Sequence, residues 1–583
     1  MRRVKNFYSI LAVIAITAAV GGVSMAQVGE APIRFAIMGD RTGGHVPGIF
    51  REMVIEVERL KPDFVMCVGD LIEGYYDDSA RIAAEWDEFM EIVEPFSMPF
   101  YYMPGNHDIW SDYAETQYRK YAGEPNYSFD HRGVHFVIFD VGRWEESSEV
   151  PAEQINWLDN DLKNHRNARQ TLVFMHKPFW YHTVAENKPD TLHSLFVKYG
   201  VDAVFTGHYH VYFSGEYDGV TYTSLGSSGA RTETDPAGIQ YHIGWVTIDN
   251  QGMHIALIRK DATAPWDAVL ASERKAFNPI IRKGITAADP APVGDNLTVA
   301  RSKIGLILDN SSSDFQMNDT IRWEIPAGWT VEPPTMPAVI PGGEKKTFYF
   351  EVASQEALYP VPTVTAQFNY AENKTVGAKN YLHLARSADC YPAHNEVRID
   401  GDISEPFWQN PATAMFTPEG DRSKIEPTSF YFAYDDRNLY LAAHCRESHP
   451  DSIVARATEH DGAVYADDCL GYFLEPIPGS DTIYQIYFNP EGIVYDAKYW
   501  VGEDTYLDGS RDWNGEYTVE TVKGDGWWSL EARLPLDQFT ASFEQGDKIR
   551  LNFRRKQQRL EGIADWQIPI DYYADTYGYL IMQ

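Results

Sequence analysis

Eight polar residues in the first 210 positions share a context that suits metal chemistry. They are Asp40 in MGDRTGG, Asp70 in VGDLIEG, Asn106, His107 and Asp108 in PGNHD, His176 in FMHKP, and His208 and His210 in TGHYH. Neutral imidazole and carboxylate together are ligands for Zn, Mn or Fe. Neighbouring glycines leave room for ions and for a phosphate. His208 and His210 are two apart: on a strand they would share a face, and in a turn they reach two different ions. Any one block alone is ordinary, because a lone Asp or His is more often solvated or packed. Five blocks in order, each after an apolar run, point to one assembled site.

The elements that must position them follow from the pattern. PIRFAIMGD, DFVMCVGD, FYYMPGNHD, HFVIFD, TLVFMH and AVFTGHYH read as strands, and IFREMVIEVERLK and SARIAAEWDEFMEIV as amphipathic helices. Such alternation predicts an α/β domain with layered sheets over residues 27–262, in which ligands gather at the carboxyl ends of strands. Residues 263–290 hold Pro265, Pro279 and AADPAP and read as a linker. Residues 291–386 alternate between PAGW and PGGE turns as a small β-sandwich does, and 387–583 are again strand-rich.

The ordered set resembles the calcineurin-like metallophosphoesterase superfamily over about residues 32–260. The resemblance implies a four-layer α/β/β/α sandwich, a binuclear metal centre of Mn, Fe or Zn, and hydrolysis of a phosphate mono- or diester. It implies that Asp70 bridges the two ions, that Asn106, His176 and His208 complete one, and that Asp40 and His210 belong to the other. It further implies that His107 gives a proton to the leaving group, with Asp108 placed to orient it.

One position departs from the pattern. The superfamily usually reads Asp-x-His at its first motif, and here Asp40-Arg41-Thr42 puts Thr42 at the His position. Another side chain substitutes, or that metal is held weakly by three ligands, or activity has decayed. Glu73 and His45 are the candidate substitutes, and an oxygen-rich shell with Glu73 or water would make the two sites unequal. Arg41 is a candidate for the phosphate, since guanidinium suits oxyanions; a surface Arg beside a turn is the alternative. GDLIEG lacks the Asp-Arg-Gly ending of protein Ser/Thr phosphatases, which argues against that branch.

IPAGWTVEPPTMPAVIPGGEKKTFYFEV resembles the immunoglobulin-like spacers of secreted bacterial hydrolases. RIDGDISEPFW, YFAYDDRNLYLA, DDCLGYFLEP, YFNPEGIVYDA and WWSLEARLPLDQF resemble the family-9 carbohydrate-binding module, which implies a β-sandwich that stacks sugars on aromatic rings, often with a structural calcium. Trp500, Trp513 and Trp566 lie outside the strongest core strands and are the stacking candidates.

Composition bounds the partners. The 583 residues carry a formal net charge of -34, which repels nucleic acid and anionic membranes. Arg2, Arg3 and Lys5 before the apolar run Ile10–Val20, with Ser24-Met25-Ala26 after it, read as a signal peptide over residues 1–26, predicting a secreted or periplasmic protein with no membrane span in the mature chain. Cys67 reads as a buried thiol, and one pair among Cys390, Cys445 and Cys469 is open to bridging. The sequence therefore predicts an exported metal-dependent phosphoesterase with a polysaccharide-anchoring tail; the alternative is a carbohydrate-binding protein with a degenerate phosphoesterase core.

Overall fold

The computed structural model describes residues 31–75, 78–232, 240–355, 357–394, 397–421, 425–501, 507–510, 513–568, 570 and 573–583. The signal-peptide segment lies outside the described residues. The chain divides into two compact units, Met1–Val269 and Leu270–Gln583.

The first unit contains two six-stranded sheets. In chain order its elements are β1 (Ile33–Met38), α1 (Ile49–Leu60), β2 (Phe64–Cys67), α2 (Ser79–Val93), β3 (Phe100–Tyr101), α3 (Asp112–Tyr121), β4 (Tyr127–His131), β5 (Val134–Ile138), α4 (Ala152–Asn164) and β6 (Gln170–Phe174). There follow α5 (Phe179–His182), α6 (Thr191–Tyr199), β7 (Ala203–Thr206), β8 (Phe213–Tyr217), β9 (Val220–Ser224), β10 (His242–Ile248), β11 (Met253–Arg259) and β12 (Thr263–Pro265). One sheet runs β12-β11-β10-β1-β2-β3 and the other β4-β5-β6-β7-β9-β8. β1, β2 and β3 are mutually parallel, as are β5, β6, β7 and β9, so the carboxyl ends within each set point the same way.

Aromatic rings join the two sheets. Phe35 on β1 stacks on Phe64 at 5.1 Å and meets Phe136 of β5 edge-on at 5.5 Å, and Phe64 meets Phe129 of β4 at 6.0 Å. β2 and β5 are buried at every position, which is why they read as nearly unbroken apolar runs. The helices bury one stripe each: Phe50, Met53, Val54 and Val57 on α1, spaced three and four apart. α2 starts at Asp78, whose carboxylate caps the N–H groups of Ala80 and Arg81.

The expected linker at 263–290 is a correction. Residues 263–265 form the edge strand β12. Residues 271–283 form a helix, α7 (Ala271–Lys283), with Phe277 and Ile280 buried, its start held by Leu270 N–H donating to Glu273. Ile285–Asp289 then pairs with Val299–Asp309. The helix runs through Pro279, the residue that had suggested a break.

The rest of the second unit is β-structure. Two four-stranded sheets are built from residues 285–381 and carry alternating burial, as in Lys345–Ser354. Beyond them is a twelve-stranded arrangement. Ser387–Pro392 joins its two parts, pairing Ser387–Cys390 with Gly578–Met582 and Tyr391–Pro392 with Thr428–Tyr434. Its core includes Phe553, Trp528 and Trp566. All four cysteines are buried and free, so no bridge forms among Cys390, Cys445 and Cys469. No helix of the described residues is long and apolar enough to cross a membrane.

Candidate metal centre

Five turns at the carboxyl ends of strands deliver the polar residues to one place. Asp40 follows β1 across Gly39, where a Cβ would stand 2.0 Å from the carbonyl oxygen of Gly226, so only glycine fits this approach. The Asp40 carbonyl accepts the N–H groups of Ser228, Gly229 and Ala230. SLGSSGAR, a stretch without its own chemistry, is thus the clamp that fixes Asp40. Asp70 follows β2, and its Oδ1 accepts the His107 N–H at 3.0 Å. His176 follows β6, its Nδ1 2.6 Å from the Val68 carbonyl and its Nε2 2.9 Å from Asn106 Oδ1. His208 follows β7, with Nδ1 2.8 Å from the same Asn106 oxygen. His210 Nδ1 lies 2.9 Å from the Arg231 carbonyl, and its Nε2 is 3.4 Å from Asp40 Oδ2.

Donor atoms of Asp70, His176 and His208 lie within 4.8 Å of one another, as do those of Asp40, Asp70 and His210. The two triads share Asp70, and Asn106 sits against the first. The residues fit a pair of cations on three grounds. Nδ1–H donation to carbonyls at His176 and His210 turns Nε2 toward the cluster, the arrangement usual for histidine ligands. Asp40 Oδ1 is buried with no hydrogen-bond partner. Burial, with a further contribution from Asp70, pushes the Asp40 carboxyl well above its ordinary value, a cost that a cation relieves. At Asp70 burial is outweighed by the His176 charge, which holds the carboxyl low; His176 in turn is lifted to about 9 by Asp70 against the effect of burial.

The backbone is strained at three residues of the cluster. Asp70, His208 and His210 have φ of 55°, 76° and 55°. Non-glycine residues adopt this region at a cost of roughly 1–3 kcal/mol each and cluster at functional sites. Space is equally tight. A Cβ at Gly43 would stand 2.4 Å from the His210 ring, one at Gly105 2.1 Å from Asp70 Oδ1, and one at Gly207 2.3 Å from Asp40 Oδ1.

The expectations for Glu73, His45, Arg41 and Asp108 are corrected, whereas Thr42 supplies no ligand, as its type implied. Thr42 Oγ1 donates to the Ile72 carbonyl at 2.6 Å and is not directed at the triads. The Glu73 carboxylate accepts from His45 N–H at 3.0 Å and lies 2.6 Å from His45 Nδ1. The two candidate substitutes are therefore engaged with each other, and neither joins a triad. Arg41 is buried, donates to the Leu71 carbonyl at 2.7 Å, pairs with Glu88 at 3.1 Å, and does not face the site. Asp108 does not touch the His107 ring. Its carboxylate accepts the N–H groups of Leu71, Ile72 and Gly105, tying the Asp70 turn to the Asn106 turn, and burial with the Asp70 charge pushes it up to about 7.

His107 Nδ1 lies instead 2.6 Å from the Glu73 carbonyl. Its Nε2 is 3.7 Å from the point a Gly43 Cβ would occupy, itself 2.9 Å from His210 Nε2, so it stands at the edge of the cluster. Tyr75, which the sequence reading missed, packs edge-on against the His107 ring at 4.9 Å and accepts from Asn106 Nδ2 at 3.0 Å. An aromatic in YY between two motifs carried no signal of this contact.

Of the three tryptophans, Trp566 is a correction: it is 2 % exposed and stacks on Phe553 at 4.9 Å, so it is core. Trp513 is half-buried against Tyr484 at 4.8 Å, and Trp500 is 36 % exposed. Among the described residues of this unit, possible cation ligands gather as His460, Asp461 and Asp496 and as Glu426, Glu447 and His449. Both sets include an imidazole, unlike the all-oxygen shells calcium prefers.

The calcineurin-like phosphoesterase family model matches residues 33–212. This segment is a calcineurin-like phosphoesterase domain. The chain is 26 % identical over 200 residues to the human serine/threonine-protein phosphatase CPPED1, covering 31 % of this chain and 63 % of that protein. It is 28 % identical over 233 residues to Arabidopsis thaliana purple acid phosphatase 22, covering 34 % and 51 %. The chain thus spans less than two thirds of either relative. A family-9 carbohydrate-binding module from Caldicellulosiruptor kristjanssonii, solved with glucose, aligns with 34 % of this chain and 96 % of that one at 13 % identity and a TM-score of 0.23. The match stops before β8, so β8 to β12 and the Asp40 clamp lie beyond the matched segment although they complete its two sheets.

Proposed function

We propose that the chain is an exported, metal-dependent phosphoesterase with a binuclear centre, and that its C-terminal β-structure serves as a polysaccharide-binding module. The observation that carries the first part is the pair of triads joined at Asp70 inside the matched domain. Asp70 would be shared by the two ions, Asn106, His176 and His208 would hold one, and Asp40 and His210 the other. When bound, the ions supply Lewis acidity and a water acidic enough to attack phosphorus. His107, its Nδ1 fixed on the Glu73 carbonyl, keeps Nε2 at the cluster edge, where it gives a proton to the departing alkoxide. Asp108 holds the two ligand turns together. The two sheets with flanking helices support the four-layer α/β/β/α reading, and the pair of four-stranded sheets supports an immunoglobulin-like spacer. Trp500 and Trp513 remain the candidates for stacking on sugar.

The test is turnover of p-nitrophenyl phosphate by the full chain with Mn, Fe or Zn. Activity should vanish with chelator, and His107→Ala should lower kcat by roughly 10²–10⁴-fold with metal content nearly unchanged. Chelator-insensitive turnover overturns the proposal. Thr42 favours a second reading, a binding protein with a decayed core; two bound metals without turnover of any ester select it.

A further inference from the structure

The phosphoesterase domain contains a cavity of about 500 Å³ that reaches His208. Small-molecule sites run from roughly 300 to 1,000 Å³. Lys177, next to the candidate ligand His176, lines it from one side and Tyr209, next to His208, from another, with Glu145 at its edge. The Lys177 side chain is 4 % exposed, whereas Glu145, to which it donates at 2.7 Å, is 77 % exposed. A buried ammonium is costly unless paired, and a solvent-facing partner leaves the pair open to a ligand. The Tyr209 hydroxyl lies 2.7 Å from His182 Nε2, which fixes the ring in the wall.

On the reading of a phosphoesterase, the geometry points to this cavity as the site for the alcohol part of the ester, and to that alcohol as a sugar. A sugar hydroxyl is donor and acceptor at once, and neighbouring hydroxyls need both partners side by side. Lys177 and Glu145 provide a donor and an acceptor in contact, and the hydroxyls of Ser147 and Thr191 line the same space. Tyr209 adds an aromatic side chain to the same lining, the residue type on which the CH groups of a pyranose pack. Charge excludes the polyanionic alternatives: Lys177 and Lys188 are outnumbered by Glu145, Glu146 and Asp190, so a second phosphate on the alcohol meets no surplus of positive charge. The inferred substrate is a sugar monophosphate.

The experiment compares kcat/KM of the Mn-loaded full chain for glucose 6-phosphate, p-nitrophenyl phosphate and a phosphoserine peptide. The expected result is at least a tenfold preference for the sugar phosphate over the peptide. Lys177→Met should reduce the sugar-to-aryl ratio about tenfold, and Glu145→Gln, at an exposed position and with an amide oxygen left to accept from Lys177, should move it the same way. Aryl turnover with no such preference, or an unmoved ratio in both variants, overturns the sugar inference and leaves the phosphoesterase reading standing. If no ester is turned over, that reading falls, and calorimetry of glucose 6-phosphate on the same proteins decides the cavity: binding weakened in both variants supports the inference, and no binding overturns it.

Discussion

Replacing Asp108 with alanine separates two accounts of this residue. If its carboxylate oriented His107, the variant would lose turnover and little else. In the structure the carboxylate serves three backbone N–H groups, Leu71 at 2.9 Å, Ile72 at 3.2 Å and Gly105 at 2.8 Å. A buried donor left unsatisfied costs about 1–3 kcal/mol. The turns can relax toward one another, so the three losses add incompletely, and a total of about 3–5 kcal/mol is expected. That is a large share of the roughly 5–15 kcal/mol that holds a typical domain folded. Urea denaturation should show the loss, and hydrogen exchange should localise it as faster exchange at 71–72 and 105. Because these turns carry Asp70 and Asn106, metal affinity should fall with stability. Unchanged denaturation and exchange, with turnover down a hundredfold and metals retained, would refute this account and restore the orienting role.

Gly43→Ala should displace the His210 ring, 2.4 Å from the new Cβ, and lower metal content by about one ion, measured by elemental analysis; two ions retained would show that the ring moves freely. Thr42→His should destabilise the domain and leave the Asp40 site no tighter, since the buried hydroxyl is bonded to the Ile72 carbonyl; isothermal titration showing tighter binding would mean the imidazole finds the cluster after all. His135 lies 2.8 Å from both Asp130 and Asp161, and although burial opposes its charge these two contacts raise its pKa above the ordinary 6.5. A raised value in the folded state stabilises fully below pH 6.5 and the contribution fades as pH rises through the folded value, so denaturation of wild type should weaken across that window more than that of His135→Gln; parallel profiles would contradict it.

The candidate cluster was legible because residue type must match ion chemistry wherever such groups fall, and the strand-end positions of Asp40, Asp70, Asn106, His176, His208 and His210 do bring them together. Side-chain direction was not legible. Arg41, Thr42 and Glu73 all sit in the right motifs, yet their bonds go to Leu71, Ile72 and His45, partners that only the assembled turns supply. Trp566 misled because it lies outside the strongest core strands, between polar chain neighbours. Asp565 is buried against Arg554 and Gln567 against Asn552, so the polarity marks satisfied core pairs and not a surface. The helix at 271–283 was hidden by Pro279, which the burial of Ala271, Arg274, Phe277 and Ile280 along one side overrides.

The four buried cysteines have a consequence for where this chain can mature. Their surroundings push the thiols of Cys67 and Cys469 up to about 12 and that of Cys445 to about 11 by burial, so at neutral pH almost none is present as thiolate. Thiolate is the species that attacks disulfides and is oxidised. In the folded protein these thiols are therefore poor partners for disulfide exchange, and the native arrangement contains no bridge among them. The exposure to risk is confined to the interval before the sheets close over them.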